Sequence, residues 1–465
     1  VISEAWLTAN PTRWTTEGAQ RVISDLRYMV APNFARDPSI NTNQSGAIQI
    51  QTSNITLRRP RILCTRNDGD GWTWLSRWNL QSDAPPGPNL RMSGIQIGLS
   101  SVVGQIDNVI IEGAYVAGCP SQGIAWMQES DGITIRRPTV GADTGYGAFL
   151  EMNGIGLLIH DPNNSGAALD PSRDMANVSV SDVLCVGTWG PAQGTDAASL
   201  KIGSEPSRQR SGEWIGANCL VVGTLAGTNS FDRIEARGES FTSIKVTESC
   251  KGTTLFEHIL AATFTIQNNS TETCEGITVQ DSVFDKCMAW GTPARQSTTL
   301  ISGNIRTAAD GVGATFNRVK FVNCDRRFFW NSTEPSFHAT EQLGWNHGIE
   351  LADFSQDPTM DEMPNVEVTN SVFVGFRGVN PGNLSIGGEG FAAKVEDNPS
   401  GGSRGAILNG VEGTNQRALP ACACSGDDFL DADGNVFFEY AEPAPDLSYD
   451  GTDDRRIFYS TTGGT

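Results

Sequence analysis

Apolar and polar residues alternate in short bursts along most of this chain, and a few polar or glycine positions separate one burst from the next. "NVSVSDVLCVGTW" from Asn177, "SIKVTESCKG" from Ser243, "GITVQDSVFDKCMAW" from Gly276, "NRVKFVNCDRRFFW" from Asn317 and "NVEVTNSVFVGF" from Asn365 share one form. Each has two or three alternating apolar positions, a short polar turn and a second short apolar run. Period-2 alternation over such lengths predicts strands. A third short strand is predicted at "TTLFEHI" (253), "TTLISGN" (298) and "HGIELAD" (347). The repeat is then three strands, two turns and one variable loop, with a unit of ~33 residues. Helical periodicity is sustained only in "TTEGAQRVISDLRYMV" from Thr15, where Val22, Ile23, Leu26 and Met29 share a face and Thr15 or Thr16 can cap the start. This segment predicts a helix plugging one end of a stack.

A strand trio cannot bury its apolar face alone, so successive trios must cover one another. Cys185, Cys219, Cys250, Cys287 and Cys324 fall in comparable places within successive units. They predict an inward ladder of buried free thiols, each acting as a small hydrophobe, with some disulfides as the alternative.

The motif "ITVQDSVFDKC" and its kin at 178 and 366 resemble the coils of right-handed parallel β-helix proteins, the pectin-lyase-like superfamily that includes tailed-virus tailspikes and polysaccharide lyases. The resemblance spans residues 45 to 395 and is one of pattern. It implies an all-β fold, a right-handed parallel β-helix solenoid at 45–396; the helical segment near the start adds an N-terminal cap at 1–44, and the change of character after about 397 an irregular C-terminal extension at 397–465 with a hairpin and an extended tail. It further implies a tailspike-like extracellular or virion-surface protein that binds, and in some members cleaves, polysaccharide or a cell-surface glycan. A homotrimer or other virion proteins are the assemblies that go with it. The alternatives are a non-catalytic structural or adhesive β-helix and a secreted polysaccharide lyase.

Composition narrows these readings. The formal charge of −20 argues against nucleic acid or an anionic membrane as a partner, and no apolar run is long enough for a membrane span. The absence of a CxxC pair or Cys/His cluster argues against zinc. The chain opens at Val1 with no charged n-region or apolar h-region, so a leader has been removed or the start lies further upstream.

"RRP" occurs twice, at Arg58-Arg59-Pro60 and Arg136-Arg137-Pro138. Pectate-lyase-like proteins carry Arg, any residue, Pro, two more residues and Arg. Here Leu63 and Gly141 hold the final arginine's place, so both sites read as exposed corners, where proline's missing donor costs nothing.

If Cys250, Cys287 and Cys324 point inward, their neighbours point outward. Lys251, Met288 and Asp325 then line one track, Ser249, Lys286 and Asn323 the other, with Asp285 and Arg326 beside them. Lys251, Asp285, Lys286, Asp325 and Arg326 are the candidate catalytic residues, because lyase chemistry needs a base and a cation and hydrolysis needs two carboxyl groups. An ordinary solvated face is the plainer account of them. The loop "WNSTEPSFHATEQLGWNHG" carries Trp330, Phe337, His338 and Trp345, rings able to stack on sugars or simply to pin the loop. Trp72, Trp74 and Trp78 read as core or an oligomer contact, and Asp170 to Asp174 as an ordinary charged loop. No cofactor is called for. The nearest approach to one is "DFLDADGNVFF" near 428, a weak calcium signal that reads more simply as a β-hairpin.

Overall fold

The computed structural model describes residues 1–30, 45–67, 72–74, 92–99, 104–119, 122–151, 153, 155–160, 174–187, 218–237, 243–268, 273–285, 298–307, 311–322, 348–352, 364–374, 379–380, 393–395, 407–409, 429–430 and 436–438. Their regular structure is strand apart from one short helix, Glu4–Ala9. The strands fall into a 21-stranded and a 13-stranded sheet, in which nearly all pairings are parallel and join successive repeats.

The smaller sheet takes one strand from most repeats. Ser45–Ile50, Met92–Ile97, Gln122–Trp126, Ile155–Ile159, Asn218–Ala226, Ile244–Cys250, Phe264–Asn268, Thr299–Gly303 and Ile349–Ala352 lie side by side. The larger sheet takes the following stretch of each repeat, which bends once in the middle. Ser179–Val186, Thr228–Arg237, Ile277–Asp285 and Ala314–Val322 run through that bend as single long strands.

The bend is a left-handed backbone residue held in register from repeat to repeat. Asp25, Arg59, Gly113, Asp182, Arg233, His258, Asp281, Arg318 and Asn370 all have φ between +49° and +62°. A second row of such corners stands at the entry to the larger sheet: Asn54, Asn108, Gly132, Asn177, Gly227, Gly252 and Gly276. Asparagine tolerates this conformation, and glycine adopts it freely. The change to glycine along the row has a steric reason as well. A Cβ on Gly276 would stand 2.0 Å from the Gly252 carbonyl oxygen.

Alternate residues of most strands from Gln20 to Val374 meet in one continuous apolar core. Its composition changes along the stack. Aligned positions run Leu57, Ile111, Ile135 and Val180, then Phe231, Phe256, Val279 and Phe316. Phe231 and Phe256 stack at 4.6 Å between ring centroids, and Phe321 and Phe373 at 4.7 Å.

Several expectations need correction. Residues 15–30 are not a helix but the strands Thr15–Glu17, Gln20–Ser24 and Arg27–Val30, and the last two pair in parallel with Ile55–Arg58 and Arg61–Asn67. Two strand faces separated by the Asp25 corner happen to mimic a helical stripe, and the β-branched Val22–Ile23 pair settles into the sheet. The helix is instead Glu4–Ala9, capped by Ser3, whose hydroxyl accepts from the Trp6 amide, and it buries Leu7. The shortest repeats are also well under 33 residues: Arg233, His258 and Asp281 occupy the same corner at spacings of 25 and 23. Thr253–Glu257 lies in the larger sheet rather than with Thr299–Gly303 and Ile349–Ala352, and the Ser243 segment lies in the smaller one.

Among the described residues the cysteine ladder of free thiols is not formed as expected either. Cys185 and Cys219 lie in different sheets and form a disulfide, and Cys64 is bonded to Cys119. Cys250 and Cys274 are buried thiols, while Cys287 and Cys324 lie outside the described residues. The hairpin expected near 428 is present, with Phe429–Leu430 antiparallel to Val436–Phe438.

Candidate functional site

The charged corner row continues onto the outward position just before it, so two adjacent rows of polar side chains run along the bend of the larger sheet. In register, the outward row reads Ser24, Arg58, Glu112, Arg136, Ser181, Asp232, Glu257, Gln280, Asn317 and Thr369. Neighbouring strands stand about 4.8 Å apart, so opposite charges on successive rungs fall within ion-pair reach.

At the N-terminal end this band is covered. Glu112 is fully buried between Arg58 and Arg136, at 2.6 Å and 3.0 Å. Arg58 is itself only 5% exposed and reaches Glu17 at 2.8 Å. That bidentate contact holds the Glu17 carboxyl below the usual carboxylate range. Thr139 also donates to Glu112. The first Arg-Arg-Pro is therefore a corner, with Arg59 at φ +50° paired to Asp25 at 2.9 Å, but it is not simply exposed. The second differs: Arg137 reaches Asp182 at 3.0 Å, and the chain makes a longer excursion through residues 138–146 before Ala148–Glu151.

In the middle the same band is open. Asp232 and Glu257 are opposite each other on adjacent rungs, with His258 at the next corner, and the three bring ligand atoms within 4.8 Å of one another. His258 Nδ1 lies 2.9 Å from Asp232 Oδ1 with its side chain 53% exposed, and that bond raises its pKa above the ordinary histidine value. Arg233 pairs with Asp232 and spans to Asp182 at 2.7 Å. Burial pushes the Asp182 carboxyl up, but the Arg233 and Arg137 guanidiniums together hold it below the usual range. The Gln280 amide donates to Glu257, and Arg318 grips Asp281 at 2.6 Å, which lowers that carboxyl. Two carboxylates, an imidazole and flanking guanidiniums thus share a half-exposed surface, a set of groups able to exchange protons or to hold sugar hydroxyls.

These residues carry a sequence signal that single-segment reading missed. "FDRI" at 231, "FEHI" at 256, "VQDS" at 279, "FNRV" at 316 and "VTNS" at 368 each place an apolar residue, an outward polar residue and a polar corner residue in turn. After the corner, Ser282 and Ser371 accept from the amides of Ile259 and Val319 on the preceding repeat.

Of the residues singled out from sequence, Lys251 follows the last strand position of Ile244–Cys250 in the smaller sheet, while Asp285 ends Ile277–Asp285 in the larger one, opposite Val322. The structure does not set them on a common row. Ser249, expected on an outward track, is buried at 2% exposure. Lys286, Met288, Asn323, Asp325, Arg326, Trp330, Phe337, His338 and Trp345 lie outside the described residues, as do Trp78 and 170–173. Trp72–Trp74 pairs antiparallel with Arg61–Asn67. No helix among the described residues is long and apolar enough to cross a membrane.

Fold and site together define an all-β protein with long parallel sheets and a charged, partly open corner band. Comparison with known proteins finds no family model, no curated protein and no solved structure that matches the chain.

Proposed function

We propose that the chain is a right-handed parallel β-helix solenoid of the tailspike-like kind, displayed outside the cell or on a virion, and that it binds polysaccharide along the Asp232–Glu257–His258 stretch. The winding is supported by pairing that returns to the same sheet position once per repeat. The oxidising location is supported by the two disulfides, since such bonds persist mainly outside the cytoplasm. One observation carries the functional reading: two partly exposed carboxylates and an exposed histidine stand together on adjacent rungs of a band in which Arg58 and Glu112, nearer the N-terminus, are buried. Sugar hydroxyls both donate and accept, and a mixed row of Asp, Glu, His and Arg offers partners for both. In this reading Trp330, Phe337, His338 and Trp345 supply ring faces for stacking.

A second reading, a non-catalytic structural or adhesive rod, is favoured by the self-neutralisation of the band. Asp25–Arg59, Arg58–Glu112–Arg136, Arg137–Asp182–Arg233–Asp232 and Asp281–Arg318 satisfy most of its charge internally. A panel of acidic and neutral glycans, assayed for both binding and cleavage, separates the two. Binding reduced at least about tenfold by Glu257→Gln or Asp232→Asn, about the 1.4 kcal/mol of a charge-assisted hydrogen bond, is the expected result. New reducing ends or unsaturated products would add catalysis to binding. No binding across the panel leaves the structural role, and binding indifferent to both substitutions places the site elsewhere.

A further inference from the structure

Cys250 and Cys274 meet on adjacent rungs. Cys250 closes the Ile244–Cys250 strand opposite Leu225, and Cys274 forms the next bridge, itself followed by Ile305. Backbone bonds on either side fix the two in place: the Glu275 amide donates to the Cys250 carbonyl at 3.0 Å, and the Cys274 amide donates to the Asn304 carbonyl at 2.9 Å. Both side chains are fully buried, in an inward row sealed above and below by Leu225 and Ile305. The Cys250 thiol is the neighbour that acts on the Cys274 thiol.

Directly opposed residues on neighbouring strands stand about 4.8 Å apart, inside the Cα–Cα range of about 4.4–6.8 Å that a disulfide spans. The chain itself shows that its repeats accept such bonds. Cys64 and Cys119 are bonded at a Cα–Cα distance of 4.9 Å, and Cys185 and Cys219 at 5.5 Å, both buried in the same core. Those two bonds stitch the N-terminal and central repeats. Cys250 and Cys274 are the next neighbouring pair along the stack, on the smaller sheet's side where it hands over to the larger.

We propose that Cys250 and Cys274 are an oxidation site, closing to a third disulfide that ties two successive repeats. The reaction is thiol–disulfide exchange with a small-molecule disulfide of the glutathione class. One cysteine thiolate attacks the reagent's S–S bond and releases one reagent thiol. The second cysteine, as thiolate, then attacks the mixed disulfide, forms the Cys250–Cys274 bond and releases the other. Both cysteine protons leave to solvent or to the two departing reagent thiolates, and two reagent thiols are produced for one protein disulfide. Burial first, then the bond from the neighbouring thiol, pushes the Cys274 thiol well above its ordinary pKa. The folded protein therefore suppresses the thiolate and screens it from reagent, so closure belongs to folding, before the flanking repeats cover the pair.

The test is to refold the full chain in mixed reduced and oxidised glutathione, unfold it in the presence of an alkylating agent, and map peptides without reduction. The expected result is a single species joining the Cys250 and Cys274 peptides, two hydrogens lighter than their sum. Alkylated thiols at both positions, or either cysteine bonded to a different partner, overturn the proposal. A thiol count on the unfolded, unreduced Cys250→Ser/Cys274→Ser double variant gives an answer independent of folding yield. A count equal to that of the parent is expected, and a count lower by two overturns it.

Discussion

Arg58 and Glu112 at one end of the corner band, and Asp232 and Glu257 in its middle, occupy the same outward position in successive repeats. What separates them is cover. Glu17 of the Thr15–Glu17 strand lies on Arg58, Thr139 of the 138–146 excursion donates to Glu112, and the acid is sealed between two guanidiniums. Over Asp232 and Glu257 the described residues place nothing comparable, and His258 stands more than half exposed. Identical register thus yields a buried ionic strut in one place and an accessible polar surface in the other. Burial, rather than residue type, decides which charges hold the fold and which are available to a ligand.

The two stretches should diverge most at Glu112. Removing it leaves Arg58 buried with only the Glu17 carboxylate at its outer edge, so the loss falls toward the lower end of the about 3–5 kcal/mol that breaking a buried ion pair costs. Glu112→Ala should therefore lower the unfolding midpoint steeply in a denaturant titration, whereas Glu257→Ala, on the open stretch, should cost about 1 kcal/mol or less. Equal losses at the two positions would show that cover does not distinguish them.

Much of this was legible in the sequence, and the exceptions have a common cause. Alternation in "GITVQDSVFD" announces a strand because both faces of the pattern are local. The polar turns within these segments are the corners Asp182, Asp281, Arg318 and Asn370. Misreading arose where the deciding partner is remote. Arg58 is buried because of Glu112, 54 residues on, and His258 meets Asp232 across 26 residues. The Cys185–Cys219 bond joins two sheets that equal spacing alone cannot tell apart. At residues 15–30 a corner between two strands imitated a helix, and only the pairing of 20–24 with Ile55–Arg58 decides the matter.

A smaller effect separates the corner's geometry from its charge. Asp281 holds φ +49° and pairs with Arg318 at the surface. Left-handed backbone costs an ordinary residue about 1–2 kcal/mol, which glycine does not incur, while an exposed ion pair contributes about 0–1 kcal/mol. Asp281→Gly is thus expected to leave the denaturation midpoint nearly unchanged. Asp281→Val, which keeps neither the pair nor an easy left-handed conformation, is expected to lose about 1–3 kcal/mol. A valine variant as stable as the glycine one would mean the corner row is not fixed in this conformation.

The finest test lies at His258, where the open stretch predicts a titration that the sealed stretch has no means of showing. The hydrogen bond to Asp232 raises the folded-state pKa of His258 above its unfolded value of about 6.5. A group shifted upward contributes its full stabilisation below the unfolded pKa and loses it as pH rises through the folded one. Stability from this pair is thus present in mild acid and fades toward and above neutrality. The change is small because the imidazole is exposed and its attraction is screened by salt. Direct titration of the His258 ring by NMR reads the shift more sharply than stability does. The midpoint should lie above 6.5 in the parent at low salt, move down as salt is added, and return toward 6.5 in Asp232→Asn. A midpoint indifferent to both changes would mean that Asp232 does not act on His258, and the middle of the band would then differ from the covered end in exposure alone.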